Sequence, residues 1–266
     1  MASRLGFISG PFVGAAIASF FDLRSVFLFN AATKLAIVVI VFWLVRETQP
    51  EAARRAARAE APGEQLSLAM FLSHKFLIIA TVAFAINMMA QGIFNSLFPV
   101  YLTGKEGFST TDVGTFMTLA SFVMLVVSMP NGYAVDLWGR KITLVPGLVV
   151  LGLSAYLLGM AGDYGGVLLA IIVYGVGEGV CFGASQAYAM DLAPEQRRGS
   201  FLGIWGLVNH AGGAVAPLLI GGVAQQFGFT AAFTALAILF GIVATIMLVF
   251  GPDTRQRRAP VAAASA

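Results

Sequence analysis

One carboxylic acid lies deep within an apolar stretch of the sequence. Glu178 stands in YGVGEGVCFGASQAY, and Ser185 follows seven residues later, so the two share one face of a helix. Burial favours the neutral form of a carboxyl, which suits a group that loads and releases protons near neutral pH. A carboxyl kept neutral or paired for structural reasons is the alternative. His210, in another apolar stretch, is a second candidate for proton coupling or else a packed hydrogen-bond donor.

Three amide side chains recur at a helical interval in a separate apolar stretch. Asn87, Gln91 and Asn95 are spaced i, i+4 and i+8, which places them in one stripe on one face of a helix. Such a stripe offers neutral donors and acceptors to a small organic substrate. Hydrogen bonds that only fix helix packing are the alternative. We predict that these amides, together with Ser185, line a substrate cavity.

These polar groups belong to a chain that is too apolar for a water-soluble protein. Of its 266 residues, 58% are apolar and 11% are charged, and the mean hydropathy is +0.85. Soluble domains carry about 25% charged residues, and about 20 apolar residues suffice for a helix to cross a bilayer. The sequence predicts an all-α integral membrane protein with eight transmembrane helices, at Leu5–Phe21, Val26–Val45, Phe76–Leu102, Thr111–Pro130, Ile142–Met160, Gly165–Met190, Phe201–Ala224 and Thr230–Phe250.

The connectors between these helices alternate in charge. Every second connector is rich in Lys and Arg, whereas the others hold only Arg24 and Lys105. Because basic residues collect on the cytoplasmic side, we expect a multi-pass protein of the cell inner (plasma) membrane with both termini in the cytoplasm. The basic residues thus indicate orientation in a lipid bilayer and not nucleic-acid binding. A cleaved signal peptide is the alternative for the first stretch, although Gly10 and Pro11 interrupt it.

The beginning and the end of the chain are weakly alike. With an offset of 206 residues, Gly6 aligns with Gly212 and Pro11 with Pro217. Parallel repeats of this kind are typical of transporters built from two six-helix halves. We therefore predict four segments: the last two helices of an N-terminal half at 1–45, a basic cytoplasmic linker at 46–75, a complete C-terminal six-helix half at 76–250, and a cytoplasmic tail at 251–266.

A loop between the fourth and fifth predicted helices carries a distinctive pattern. In GYAVDLWGRK, the residues Gly132, Asp136, Gly139, Arg140 and Lys141 form G-x-x-x-D-x-x-G-R-K. The pattern resembles the loop motif of the major facilitator superfamily at every fixed position. Glycines permit sharp turns, the carboxylate can pair with the following arginine, and the basic pair suits anionic headgroups. A basic turn that only sets orientation is the alternative, but it leaves the Asp and Gly spacing unexplained.

The first predicted helix carries a second resemblance. Gly6, Gly10, Pro11 and Gly14 are similar to the fifth-helix motif of drug:proton antiporters in that superfamily. Small residues allow helices to pack closely, and the proline bends the helix. By this resemblance the eight helices correspond to helices five to twelve of the twelve-helix major facilitator fold, without the first four. It implies that upstream helices or a partner chain complete the transporter.

The resemblance implies secondary transport, and we expect proton-coupled efflux of small organic compounds by alternating access. A metabolite symporter or uniporter of the same superfamily, or a truncated remnant that does not transport, are the alternatives. An enzyme is not expected, because an intramembrane serine protease using Ser185 and His210 would lack an oxyanion motif. No Walker-type loop, metal site or cofactor site is expected. The expected partners are a small-molecule substrate, protons and the lipid bilayer.

Overall fold

The computed structural model describes most residues of the chain. The chain divides into two compact units, Met1–Ser67 and Leu68–Ala266. Within them the described residues are 17, 23–44, 71–194 and 197–252, and the side chain of Asp136 is not among those described.

The first unit contains one described helix. Helix α1 spans Leu23–Leu44, and its apolar part is Phe27–Trp43. The sequence predicts a helix at Val26–Val45, and this prediction is confirmed to within three residues at its start and one at its end. The first predicted helix, apart from residue 17, lies outside the described residues. Its packing motif, which stays a prediction, comprises Gly6, Gly10, Pro11 and Gly14.

The second unit contains six helices that are long and apolar enough to cross a membrane. They match the other six predicted spans, and all regular structure among the described residues is helical. The all-α fold class that the sequence predicts is therefore confirmed. The helices are α2 His74–Gly104, α3 Thr110–Trp138, α4 Arg140–Met160, α5 Tyr164–Leu192, α6 Arg198–Phe227 and α7 Phe229–Phe250.

Side chains or glycines fix several of the helix ends. Ser109 and Asp112 form a capping box at the start of α3, in which each side chain accepts from the other residue's backbone N–H. Asp163 caps α5 by accepting from the N–H three residues later at 2.8 Å. Gly139 and Gly228 join α3 to α4 and α6 to α7 with φ of 95° and 84°, a conformation that favours glycine. These pairs of helices are consequently connected by single residues.

Helix α3 continues past the point at which the sequence predicts its end. The predicted span stops at Pro130, yet α3 runs on to Trp138. A proline removes one backbone donor from a helix, but neighbouring helices can compensate in a membrane bundle. Here the next residue, Asn131, is buried, and its Nδ2 donates to the backbone carbonyl of Val180 in α5 at 2.7 Å. This bond ties α3 to α5 beside the proline.

Helix α5 packs against both α3 and α4, and glycines bring the three helices close together. A Cβ at Gly175 or Gly179 would lie 2.8 Å from a backbone carbonyl oxygen of α3. A Cβ at Gly177 would lie 2.9 Å from the side chain of Leu151 in α4. Small residues set such close contacts between helices in membranes. Glu178 therefore lies in a closely packed segment of the unit.

Candidate functional site

Helix α2 changes its hydrogen-bonding pattern in the middle of its span. It is α-helical over His74–Asn87, π-helical over Met88–Leu97 and α-helical again over Phe98–Gly104. The bonds of a π-helix join residues five apart, and π-helical turns are frequently found at functional sites. Two of the three amides in the predicted stripe, Gln91 and Asn95, lie in this segment.

The amide stripe is only partly packed against the rest of the unit. Gln91 and Asn95 are exposed, and Asn95 Nδ2 donates to Gln91 Oε1 at 3.1 Å. Asn87 is half-buried, and its Oδ1 has no hydrogen-bond partner among the described residues. Polar groups are costly against lipid hydrocarbon, so this arrangement suits a face that meets other polar groups. That the face lines a substrate cavity stays a prediction.

The π-helical segment and the turn before it cross α6 at very small residues. A Cβ at Gly92 would overlap the Cβ of Ala216, and a Cβ at Gly212 would overlap the backbone carbonyl oxygen of Phe84. Neither contact leaves room for a side chain, so α2 and α6 approach backbone to backbone. This crossing holds the amide-bearing part of α2 in place.

His210, the second candidate for proton coupling, lies on α6 and is exposed. The residues about one turn before and after it, Leu207 and Ala214, are exposed as well. By contrast Ser185 is buried at 8% exposure, and the hydrogen bonds of the described residues do not join it to His210. A nucleophile and base would need such contact. Within the described ranges, no group of three or more His, Cys, Asp or Glu side chains is placed to hold a metal ion.

Glu178 lies in the interior of the second unit. It is 3% exposed, and its Oε2 has no hydrogen-bond partner among the described residues. Tyr174 and Cys181 are buried on the same helix, four residues before and three residues after Glu178. Glu178 and Ser185 share one face of α5 as their spacing predicts, but that face is turned into the helix bundle. That Ser185 lines a substrate cavity stays a prediction.

Sequence reasoning missed an aromatic pair beside this carboxyl. The ring of Phe94 in α2 stacks on that of Tyr174 in α5, with centroids 4.2 Å apart and planes at 17°. The two residues lie 80 positions apart in a chain with many aromatic residues, so no local pattern indicates the contact. The pair connects the π-helical segment of α2 directly to the helix that carries Glu178.

The loop motif supplies an ion pair that the sequence did not predict. Arg140 Nε lies 3.0 Å from Asp191 Oδ2, which joins the start of α4 to the end of α5. The expected pairing of Arg140 with Asp136 stays a prediction, because the side chain of Asp136 is outside the part of the chain that the structure describes. Asp191 follows a long apolar run, and its distance of 51 residues from Arg140 hides the pairing.

The other residues of the loop motif lie at or near the junction of α3 and α4. Gly139 is the single residue between the two helices and adopts the positive φ noted above. Lys141 is half-buried in the first turn of α4. Gly132 is exposed in α3, and a Cβ there would meet no atom within 4 Å in the described structure. The turn at Gly139 therefore has a conformational reason for glycine, whereas a role for Gly132 stays a prediction.

The sequence of the chain matches one known protein family. The profile of the Major Facilitator Superfamily matches residues 1–110 and 80–266. The hexuronate transporter of Bacillus subtilis is 26% identical over 246 residues, which cover 86% of this chain and 57% of that protein. A probable nitrate transporter, NarT, of Staphylococcus aureus is 28% identical over 70% of this chain and 46% of its own length. The multidrug transporter protein MdtP of B. subtilis is 25% identical over 55% of this chain and 27% of its own length.

A solved structure shows the same fold. The human organic anion transporter MFSD10 (TETRAN) superposes with a TM-score of 0.70 at 18% sequence identity, covering 92% of this chain and 61% of that one. The chain spans about half the length of the curated relatives it matches, with 57%, 46% and 40% of the first three covered. The family profile nevertheless matches along the whole chain, and the chain therefore belongs to the Major Facilitator Superfamily of membrane transporters.

Proposed function

We propose that the chain forms part of a proton-coupled exporter of small organic compounds, most like the drug:proton antiporters of its superfamily. In this proposal 1–45 and 76–250 act as helices five to twelve of a twelve-helix transporter, with cytoplasmic segments at 46–75 and 251–266. The remaining helices come from upstream sequence or a partner chain. The observation that carries the proposal is the buried carboxyl of Glu178, whose Oε2 lacks a hydrogen-bond partner among the described residues.

A buried carboxyl without a partner favours its protonated form, because removal from water penalises the charge. Among the described residues, no cationic side chain pairs with Glu178 to stabilise the carboxylate. Ionisation therefore requires water or a change in packing around α5. A group of this kind couples proton release to a conformational change, since one conformation favours the acid and the other its carboxylate.

The exposed amides of α2 favour a substrate that is neutral or cationic and organic. Gln91 and Asn95 present donors and acceptors without formal charge. An anion held near mid-membrane would need a compensating positive charge, yet the lysines and arginines described in the second unit lie at helix ends or between helices. These are Lys75, Lys105, Arg140, Lys141, Arg197 and Arg198. One of the relatives, MdtP, is named as a multidrug transporter, and drugs are small organic compounds of the matching kind.

Uptake of an anionic metabolite is the second candidate function. Relatives named for hexuronate and nitrate cover more of this chain than the multidrug transporter does. His210 is exposed on α6, and its imidazole N–H would be a hydrogen-bond donor for an anion. A remnant that does not transport is the third possibility. The intact mass of the protein from its own membrane tests whether the chain is such a remnant. A species at 28.0 kDa would have to act with a partner chain in order to transport.

Transport in everted membrane vesicles from cells that produce the protein tests the proposal. An acidic lumen should drive accumulation of ethidium inside the vesicles, because protons leaving the lumen exchange for the dye. Vesicles from cells without the protein are the control. Accumulation that vanishes on adding a protonophore supports antiport. Proton-driven exit of nitrate or glucuronate from preloaded vesicles, without ethidium movement, would instead establish uptake by symport.

Replacing one exposed amide should weaken substrate binding without stopping transport. For Gln91→Leu we expect the KM for ethidium to rise roughly fivefold, as loss of one hydrogen bond of about 1 kcal/mol implies. The matched control is Thr118→Val, because Thr118 is exposed in α3 and its hydroxyl donates to the carbonyl of Gly114 in its own helix at 2.8 Å. Initial rates at a series of dye concentrations measure both. An equal KM for the two variants would exclude Gln91 from the substrate site.

A further inference from the structure

A small cavity lies inside the second unit, between the π-helical segment of α2 and helices α4 and α5. About 10 Å³ of it is open to the centre of a water molecule, which is close to the volume that one water needs. Its walls are apolar apart from Ser154 and Tyr174, and the Ser154 hydroxyl donates to the carbonyl of Ala170 at 3.1 Å. With so few polar groups the cavity holds water poorly in this conformation.

Phe94 is one of the residues that line this cavity. Phe94 is 9% exposed, while the following residue, Asn95, is exposed. The Phe94 ring stacks on that of Tyr174, and its centroid also lies 5.3 Å from that of the Phe98 ring, with the planes at 16°. Aromatic pairs contribute about 0.5–1.5 kcal/mol beyond the buried area. A contact of that size holds the ring in place yet allows it to move.

Tyr174 connects the cavity to the buried carboxyl. It lies four residues before Glu178 on α5, so the two side chains are on the same face of the helix. Tyr174 and Cys181 are the titratable groups of α5 near the carboxyl. The side chains of Val123, Val127 and Leu151 lie against the glycines on either side of Glu178. The amide of Asn131 in α3 donates to the carbonyl of Val180 in the same part of α5. Tyr174 lines the cavity and Glu178 does not, so water that enters beside Tyr174 is one helical turn from the residue that carries the carboxyl.

We propose that Phe94 is a hydration gate for Glu178. While its ring stacks on Tyr174, the cavity is closed to the amide face of α2. When the ring moves aside, water passes from that face into the cavity and exchanges the carboxyl proton: the Glu178 O–H bond breaks, the proton goes to water, and a carboxylate remains until a proton returns. Substrate bound at Gln91 and Asn95 would act on the same π-helical segment, so the gate links substrate and proton. This inference rests on the proposed proton-carrying role of Glu178.

Hydrogen–deuterium exchange at the carboxyl tests the gate without any substrate. The purified protein in lipid bilayers is moved into D2O, and infrared difference spectra follow the C=O band of the protonated carboxyl, assigned by its loss in Glu178→Gln. In Phe94→Ala we expect exchange to be faster by about tenfold or more, which corresponds to about 1.4 kcal/mol in the free energy of opening. In Phe94→Leu, which keeps an apolar plug but loses the stacked ring, we expect a smaller acceleration.

The control is Phe116→Ala, which removes a fully buried ring from the separate aromatic cluster with Phe108 and Tyr164. Its exchange rate should equal that of the unsubstituted protein. If the Glu178 band is present but neither Phe94 variant exchanges faster than this control, the gate is wrong and the proton-carrying role stands. If no band is lost in Glu178→Gln at any pH at which the protein is folded, Glu178 is never protonated, and the proposed function fails as well.

Discussion

Glu178→Gln should abolish ethidium accumulation driven by a pH gradient while leaving counterflow exchange of the dye intact. Glutamine copies the shape of the protonated carboxyl and fits the same buried site, at 3% exposure, but it cannot release a proton. Counterflow exchanges substrate on one side for substrate on the other and needs no proton step. Accumulation should therefore fall to the level of vesicles without the protein, whereas dye exchange continues.

A matched control comes from a carboxyl outside the core. Glu106 follows the end of α2 and lies 3.5 Å from Lys105 Nζ, whose side chain is 48% exposed. The Glu106 side chain is 18% exposed and so is not in the buried interior that holds Glu178. Glu106→Gln should therefore keep both activities. Persistence of pH-driven accumulation in Glu178→Gln would remove Glu178 from the coupling mechanism. Loss of counterflow in that variant alone would show that the carboxyl has a structural role, which is the alternative that the sequence leaves open.

Hydropathy alone predicts where the helices are, because any segment that crosses a bilayer must be long, apolar and internally hydrogen-bonded. It does not predict which face of such a helix is turned inward. Helix α5 is apolar nearly all round, so composition does not distinguish the face of Glu178 and Ser185 from the others. Their shared face follows from helical spacing, but its burial depends on the glycine contacts with α3 and α4.

The local form of α2 also escaped prediction, for a related reason. The spacing of Asn87, Gln91 and Asn95 fits a regular α-helix equally well, and nothing in MMAQGIFNSL specifies bonds between residues five apart. The segment is π-helical where Gly92 meets α6, a helix more than 100 positions away in sequence. The same limit applies to Phe94 with Tyr174 and to Arg140 with Asp191. Residue types predicted the candidate groups, whereas long-range packing determined their partners.

A substitution at the close crossing of α2 and α6 should have a large effect on stability. Gly212→Ala should lower the free energy of unfolding by about 3 kcal/mol, at the upper end of the usual cost of overpacking. The added methyl would overlap the carbonyl oxygen of Phe84, which belongs to a helix backbone and cannot turn away as a flexible side chain does. The two helices would have to separate, with loss of the contacts beside Gly92. Unfolding of the purified protein in mixed micelles of increasing SDS content measures the change.

Gly203→Ala is the control, because a Cβ at Gly203, also on α6, would meet no atom within 4 Å in the described structure. We expect its stability to stay within about 0.5 kcal/mol of the unsubstituted protein. Equal stability of Gly203→Ala and Gly212→Ala would exclude a backbone-to-backbone crossing at Gly212.

An exchange of side chains across the same crossing separates crowding from other effects of removing glycine. Gly92→Ala alone should destabilise the protein, because its methyl would overlap that of Ala216. Adding Ala216→Gly removes the opposing methyl and leaves the carbonyl oxygen of Gly213 as the nearest atom, at 3.0 Å. That oxygen lacks a helical donor because Pro217 has no N–H, so it can shift slightly without breaking a hydrogen bond. The double variant should therefore recover more than half of the stability that Gly92→Ala loses. If the destabilising effects of the two substitutions were instead additive, glycine would be required at position 92 for the π-helical backbone itself.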